Sequence, residues 1–146
     1  MAKARWLNMR VAFAIYAGLD VVCVGMGMGV PILCILLGFP VGWYLGARAA
    51  AEAPSPRQAL ARILRGAVVT SAFTFVMMAA VWGRCGVMLL DPAADLANFG
   101  IPMILFTPRA SFIGWLVLMI FVSPFLQFLA TLFTGQLALM RGREGE

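Results

Sequence analysis

Histidine is absent from this 146-residue chain. Its absence excludes histidine-ligated haem, the usual histidine-containing zinc and copper sites, and hydrolysis by a Ser-His-Asp triad. The 3 cysteines show no CxxC spacing, so an iron–sulfur cluster or a dithiol redox motif is not encoded either. Charge is equally scarce: 6 acidic and 11 basic residues, 12% of the chain, are too few to cover the surface of a soluble domain. A phosphate-cradling loop is also missing, because the Gly25-Met26-Gly27-Met28-Gly29 series lies between hydrophobic runs and not between a strand and a soluble helix. The one close carboxylate pair, Asp91 and Asp95 in "LDPAADLANFG", fits the start of a short helix closed by Gly100 better than acid–base chemistry. No enzyme activity, metal or cofactor is expected from this inventory.

What the chain has in excess is apolar surface: 63% hydrophobic residues and a mean hydropathy of +0.96. That composition describes an integral membrane protein, and the apolar runs are long and helix-like, not alternating ten-residue strands of a barrel. The expected fold class is therefore all-α, a single membrane domain over 1–146. The net charge of +5 does not indicate nucleic acid, because the basic residues flank the apolar runs instead of forming a stripe with interleaved aromatics.

The first apolar run, Val11 to Ala47, contains one charged residue, Asp20. As a single helix it would extend about 55 Å, well beyond a bilayer core of about 30 Å. The stretch "VCVGMGMGVPIL" divides it: the glycines permit positive φ, and Pro31 suits the start of a new helix. A short transmembrane hairpin follows, and with it four spans at about 6–25, 30–47, 62–83 and 112–139, a cytoplasmic link at 48–61 and an external loop at 84–111. With both termini inside, Lys3, Arg5, Arg10, Arg48, Arg57, Arg62, Arg65, Arg141 and Arg143 are cytoplasmic, leaving Arg84 and Arg109 outside. Trp6, Trp43, Trp82 and Trp115 then all fall at interfaces. The basic start and apolar core of the N-terminus read as a retained signal anchor, and "LDVVC" is a poor lipoprotein box. Arg-rich, Ala-rich usage suggests a bacterial cytoplasmic membrane.

Three sets of residues stand out within the spans. Gly38, Gly42 and Gly46 form a small-residue face for close helix packing, against either a neighbour in the same chain or a second copy, with Pro40 expected to kink or loosen the helix. Thr70, Ser71 and Thr74 on span three, and Ser123, Gln127, Thr131 and Thr134 on span four, form polar faces expected to turn inward and meet. Asp20 is the one intramembrane carboxylate, placed about one turn before the outer end of span one, with Arg84 as its candidate partner and an ion or proton role as the alternative. Cys23 and Cys85 share a predicted depth and could form an outward-facing disulfide or remain free thiols. In the link, Ser55, Pro56 and Gln58 encode a capped helix start. "IPMILFTPRA" is expected to lie in the outer interface or fold over the bundle mouth.

Two functions fit these observations. The leading one is a non-catalytic structural or accessory subunit that self-associates or joins a larger membrane complex. The alternative is a small oligomeric transporter or channel for an ion or small solute, with Asp20 and the polar faces lining the path. The expected partners are the bilayer, with anionic lipids at the cytoplasmic arginines, and another membrane chain. The four-span arrangement predicts that cysteine labelling from outside reaches a probe at Met26 or Met28 and misses one at Ala51; a reversed labelling pattern contradicts it.

Overall fold

The computed structural model describes residues 7–26, 30–101, 103 and 105–144. Its described residues form helices, turns and irregular segments, with no strand among them. Among the described residues there are five α-helices: α1 (Met9–Gly25), α2 (Val30–Glu52), α3 (Pro56–Trp82), α4 (Pro108–Val117) and α5 (Ser123–Glu144). A 3-10 turn, Gly83–Leu89, prolongs α3, and a π-helical segment, Leu118–Val122, joins α4 to α5 in one rod. Three of the resulting rods, Pro31–Glu52, Pro56–Leu89 and Pro108–Arg143, are long and apolar enough to cross a membrane. Helix α1, with 17 residues, packs against them as a shorter fourth rod.

The helix starts follow from local chemistry. Asn8, Ser55 and Thr107 each accept a backbone N–H with the side-chain oxygen, and Pro56 and Pro108 begin their helices where a missing N–H costs nothing. Ser55 accepts from the Gln58 amide at 3.4 Å, so the Ser55 half of the encoded capping box is formed. Helix α1 stops at Gly25, with the Met26 N–H closing on the Cys23 carbonyl, and α2 begins at Val30. The break thus falls at the glycine series, of which Gly27 to Gly29 lie outside the described residues. Helix α2 runs unbroken through Pro40. The π segment is the response to Pro124: having no N–H, it cannot complete the α-helical ladder, and the Ser123 N–H bonds five residues back, to Leu118.

The expected short helix at Asp91–Gly100 does not form. Asp91 instead accepts the Ala93 N–H, Asp95 accepts both the backbone and side-chain nitrogens of Asn98, and Gly100 has φ 88°. Side-chain oxygens this close in sequence compete with the helical ladder, and so short a helix gains too little to win. The loop nonetheless folds back: Leu96, Phe99 and Ile101 pack on the cluster of Val24, Cys34, Met78, Phe112, Trp115 and Met119.

Contacts fix the relative directions of the rods. Leu7, before α1, accepts hydrogen bonds from Tyr44 and Arg48 near the end of α2, so α1 and α2 run antiparallel. Tyr16 meets Thr70 and Asp20 meets Thr74, so α1 and α3 run parallel. Helix α5 lies parallel to α2 along the glycine face. A methyl group at Gly38 would sit 2.7 Å from the Gln127 carbonyl oxygen, one at Gly46 would sit 2.8 Å from the Ala138 methyl, and one at Gly42 would overlap the Thr131 carbonyl. The glycine face therefore serves an intramolecular neighbour. Both described chain ends lie at the same end of the bundle, where Arg141 stands over the Trp43 ring; Trp82 and Trp115 meet edge to face at the opposite end. Trp6 lies outside the described residues. Large side chains such as Val76, Phe121, Phe125 and Phe133 point outward, an inversion of the soluble pattern that suits a lipid environment.

Replacing Gly42 by Ala drives a methyl into α5 and should lower unfolding stability in detergent by about 1–3 kcal/mol. The same change at Gly18, where a methyl meets nothing within 4 Å, should leave stability equal or higher. Equilibrium unfolding of the two variants in mixed micelles checks the contrast.

Candidate functional site

The inward face of α1 is built from Tyr16, Asp20 and Val24, spaced four apart and all buried. Opposite it, α3 presents Thr70 and Thr74, and α5 presents Ser123, Gln127 and Thr131, each enclosed by neighbouring helices. Polar side chains placed this way have no water to turn to and must satisfy one another.

They do so in a chain with one direction. The Gln127 Nε2 donates to the Tyr16 hydroxyl at 2.7 Å, Tyr16 lies 2.5 Å from the Thr74 Oγ1, and Thr74 donates to the Asp20 Oδ1 at 3.0 Å. Each hydroxyl carries a single hydrogen, so with Asp20 as the terminal acceptor the run Gln127 to Tyr16 to Thr74 to Asp20 gives every link one donor and one acceptor. The Thr70 carbonyl offers Tyr16 and Thr74 a second acceptor, at 2.9 and 3.3 Å. Both ends of the chain are open: the Asp20 Oδ2 and the Gln127 Oε1 are buried with no hydrogen-bond partner. The wholly buried thiol of Cys34 stands beside the Asp20 carboxyl.

The remaining polar groups of the two faces bond to backbone. Ser71 donates to the Pro124 carbonyl at 2.6 Å and Ser123 to the Pro31 carbonyl at 3.3 Å, joining α3 and α2 to the π-helical region. Thr131 and Thr134 turn back onto the Gln127 and Ala130 carbonyls of their own helix, at 2.9 and 2.7 Å. The polar faces of α3 and α5 thus both turn inward as expected, but Tyr16 of α1 stands between them as the junction. Tyr16 and Cys34 were not singled out from the sequence. The signal for Tyr16 was its position one helical turn before Asp20 on the same face.

Asp20 and Arg84 are not brought together. Arg84 lies exposed on the 3-10 turn, and the ion pairs among the described residues are Arg48–Glu52 and Arg62–Glu52, at the other end of the bundle. Asp20 lies five residues before the end of α1, and its side chain is 0% exposed because α2 and α3 close over it. Cys23 and Cys85 both border the apolar cluster at that end and carry free thiols. Among the described residues no group of three His, Cys, Asp or Glu side chains could hold a metal ion. Comparison with protein-family models, with curated proteins and with solved structures gives no match. The assignment therefore rests on this geometry.

Tyr16→Phe removes the hydroxyl that serves Gln127, Thr74 and the Thr70 carbonyl. Interhelical hydrogen bonds in membranes average about 0.6 kcal/mol, so losing this junction should cost roughly 2 kcal/mol. Thr74→Val breaks the next link, and because the two residues share one bond, the double variant should lose less than the sum of the singles by about 1 kcal/mol. Additive losses in equilibrium unfolding would show that the chain is not a single network.

Proposed function

We propose that this protein crosses the bilayer four times, with both termini on the cytoplasmic side, and acts without catalysis as a structural or accessory subunit of a homo-oligomer or larger membrane complex. Helix α1 rises about 26 Å over its 17 residues, enough for a short span. The end of the bundle that gathers Arg10, Arg48, Arg62, Arg65 and Arg141 is the cytoplasmic one under the positive-inside rule, and the end with Arg84 and Arg109 faces outward. A bacterial cytoplasmic membrane is the corresponding location.

One observation carries the subunit reading: the intramembrane polar groups are spent on bonds that tie α1, α3 and α5 together, as in a scaffold. The glycine face is occupied by α5, so association with another chain falls to other surfaces. The outer end offers one, where Val87, Leu90, Met103 and Phe106 stand exposed. A second reading, a small ion- or proton-coupled transporter, is favoured by a different observation. The hydrogen-bond chain ends on a buried carboxyl oxygen without a partner, and such residues mark ion pathways in membrane proteins.

Purification from native membranes in a mild detergent separates the two. The subunit reading expects a stoichiometric partner chain or a defined homo-oligomer, retained by Asp20→Asn. A reconstituted wild type that carries an ion or proton flux, with the flux abolished in an Asp20→Asn variant that assembles normally, overturns it in favour of transport.

A further inference from the structure

Helices α1, α2 and α3 do not close on one another along their whole length. Between them lies a cavity of about 940 Å³ that runs from the arginine-rich end of the bundle to the level of Tyr16 and Thr70. Its walls are apolar, formed by Phe13 and Leu19 of α1, Leu37 and Val41 of α2, and Val69 of α3. At about 30 Å³ per molecule, liquid water would need some thirty molecules to fill it, and apolar walls of this kind give water too few partners to stay. Hydrocarbon is the filling that the walls favour.

The mouth has a different character. Arg10, Arg48, Arg62 and Arg65 border it against one carboxylate, Glu52. Arg48 is held by Glu52, by the Tyr44 hydroxyl and by the Leu7 carbonyl, and Arg62 reaches the other Glu52 oxygen at 3.6 Å. Neither the Arg10 nor the Arg65 guanidinium has a hydrogen bond or ion pair among the described residues. Two unpaired forks at the rim of an apolar slot match a ligand with an anionic phosphate at one end and hydrocarbon at the other. The chain's own first residues carry Lys3 and Arg5, the wrong charge for that rim.

We propose that the cavity between α1, α2 and α3 is a binding site for one anionic phospholipid of the surrounding bilayer, its phosphate held by Arg10 and Arg65 and an acyl chain inserted between Phe13, Val41 and Val69. The site rests on the membrane placement proposed above, in which the rim lies at the headgroup level of the cytoplasmic leaflet. The lipid fills the gap that α1 leaves against its neighbours. Its chain ends beside Tyr16, so occupancy couples the arginine rim to the buried hydrogen-bond chain.

The test is native mass spectrometry of the full chain from nanodiscs containing phosphatidylglycerol and phosphatidylcholine. The wild type should retain phosphatidylglycerol preferentially, and the exposed-site double variant Arg10→Gln, Arg65→Gln should bind it roughly thirtyfold less tightly, given the attraction of about 1 kcal/mol that each basic residue adds near anionic headgroups. Ala12→Phe, which fills the slot and leaves the arginines in place, should also lose the lipid. A phosphatidylglycerol with a photoreactive acyl chain should crosslink the wild type at Phe13, Leu37 or Val41, which decides the matter even where Ala12→Phe fails to fold. Equal retention of the two lipids, retention unchanged by either variant, or crosslinks confined to outward side chains such as Val76 and Phe121 would each overturn the site. The same spectra report partner chains by mass, so loss of the lipid site is distinguishable from failure of the subunit reading.

Discussion

The close approach of α2 to α5 is the contact on which the rest of the bundle depends. Helices in lipid gain nothing from excluding water, so they associate through packing and through hydrogen bonds. Gly38, Gly42 and Gly46 let the α5 backbone come within reach of α2 along more than two turns, with Gly142 continuing the contact against Ala50. The register of that contact places Gln127. Its carbonyl lies against Gly38, and its side chain is thereby held at the depth where it meets Tyr16.

From Gln127 the hydrogen-bond chain passes to α1 and α3, making Tyr16 the point at which three helices share one network. The arrangement explains why so short a helix as α1 holds its place. Its outward side chains, Val11, Val21 and Val22 among them, offer nothing specific to bind, whereas Tyr16 and Asp20 provide directional bonds. The π-helical segment absorbs the defect at Pro124, and the Pro124 carbonyl accepts from Ser71. Every inward polar side chain on α5 is thus tied either to a neighbouring helix or to its own backbone.

The two ends of the bundle differ in how they are closed. At the end away from the arginines, the loop packs Leu96, Phe99 and Ile101 over the aromatic cluster of Phe112, Trp82 and Trp115. At the arginine end, α1 stands away from α2 and α3, and polar contacts around Leu7, Tyr44, Arg48 and Glu52 span the gap that apolar packing leaves open. A helix held at its middle by Tyr16 and Asp20 and at its start by Leu7 brackets a slot between those two points.

Much of this protein was legible in its sequence because the signals are local. Apolar length gives the long helices, Ser55 and Pro56 give the start of α3, the glycine series gives the break after Gly25, and the lipid environment forces Thr74, Gln127 and Thr131 inward wherever their neighbours lie. The same local logic failed at Asp91 and Asp95, where a cap pattern is shared by helices and Asx turns and only the folded loop chose between them. Which partner each inward group finds depends on the relative depth and rotation of separate helices, and no spacing within one segment carries that information. Tertiary structure alone therefore decided that the glycine face meets α5, that Tyr16 joins the two polar faces, that Asp20 is closed in with Thr74 and Cys34 instead of meeting Arg84, and that the arginine end opens into an apolar slot.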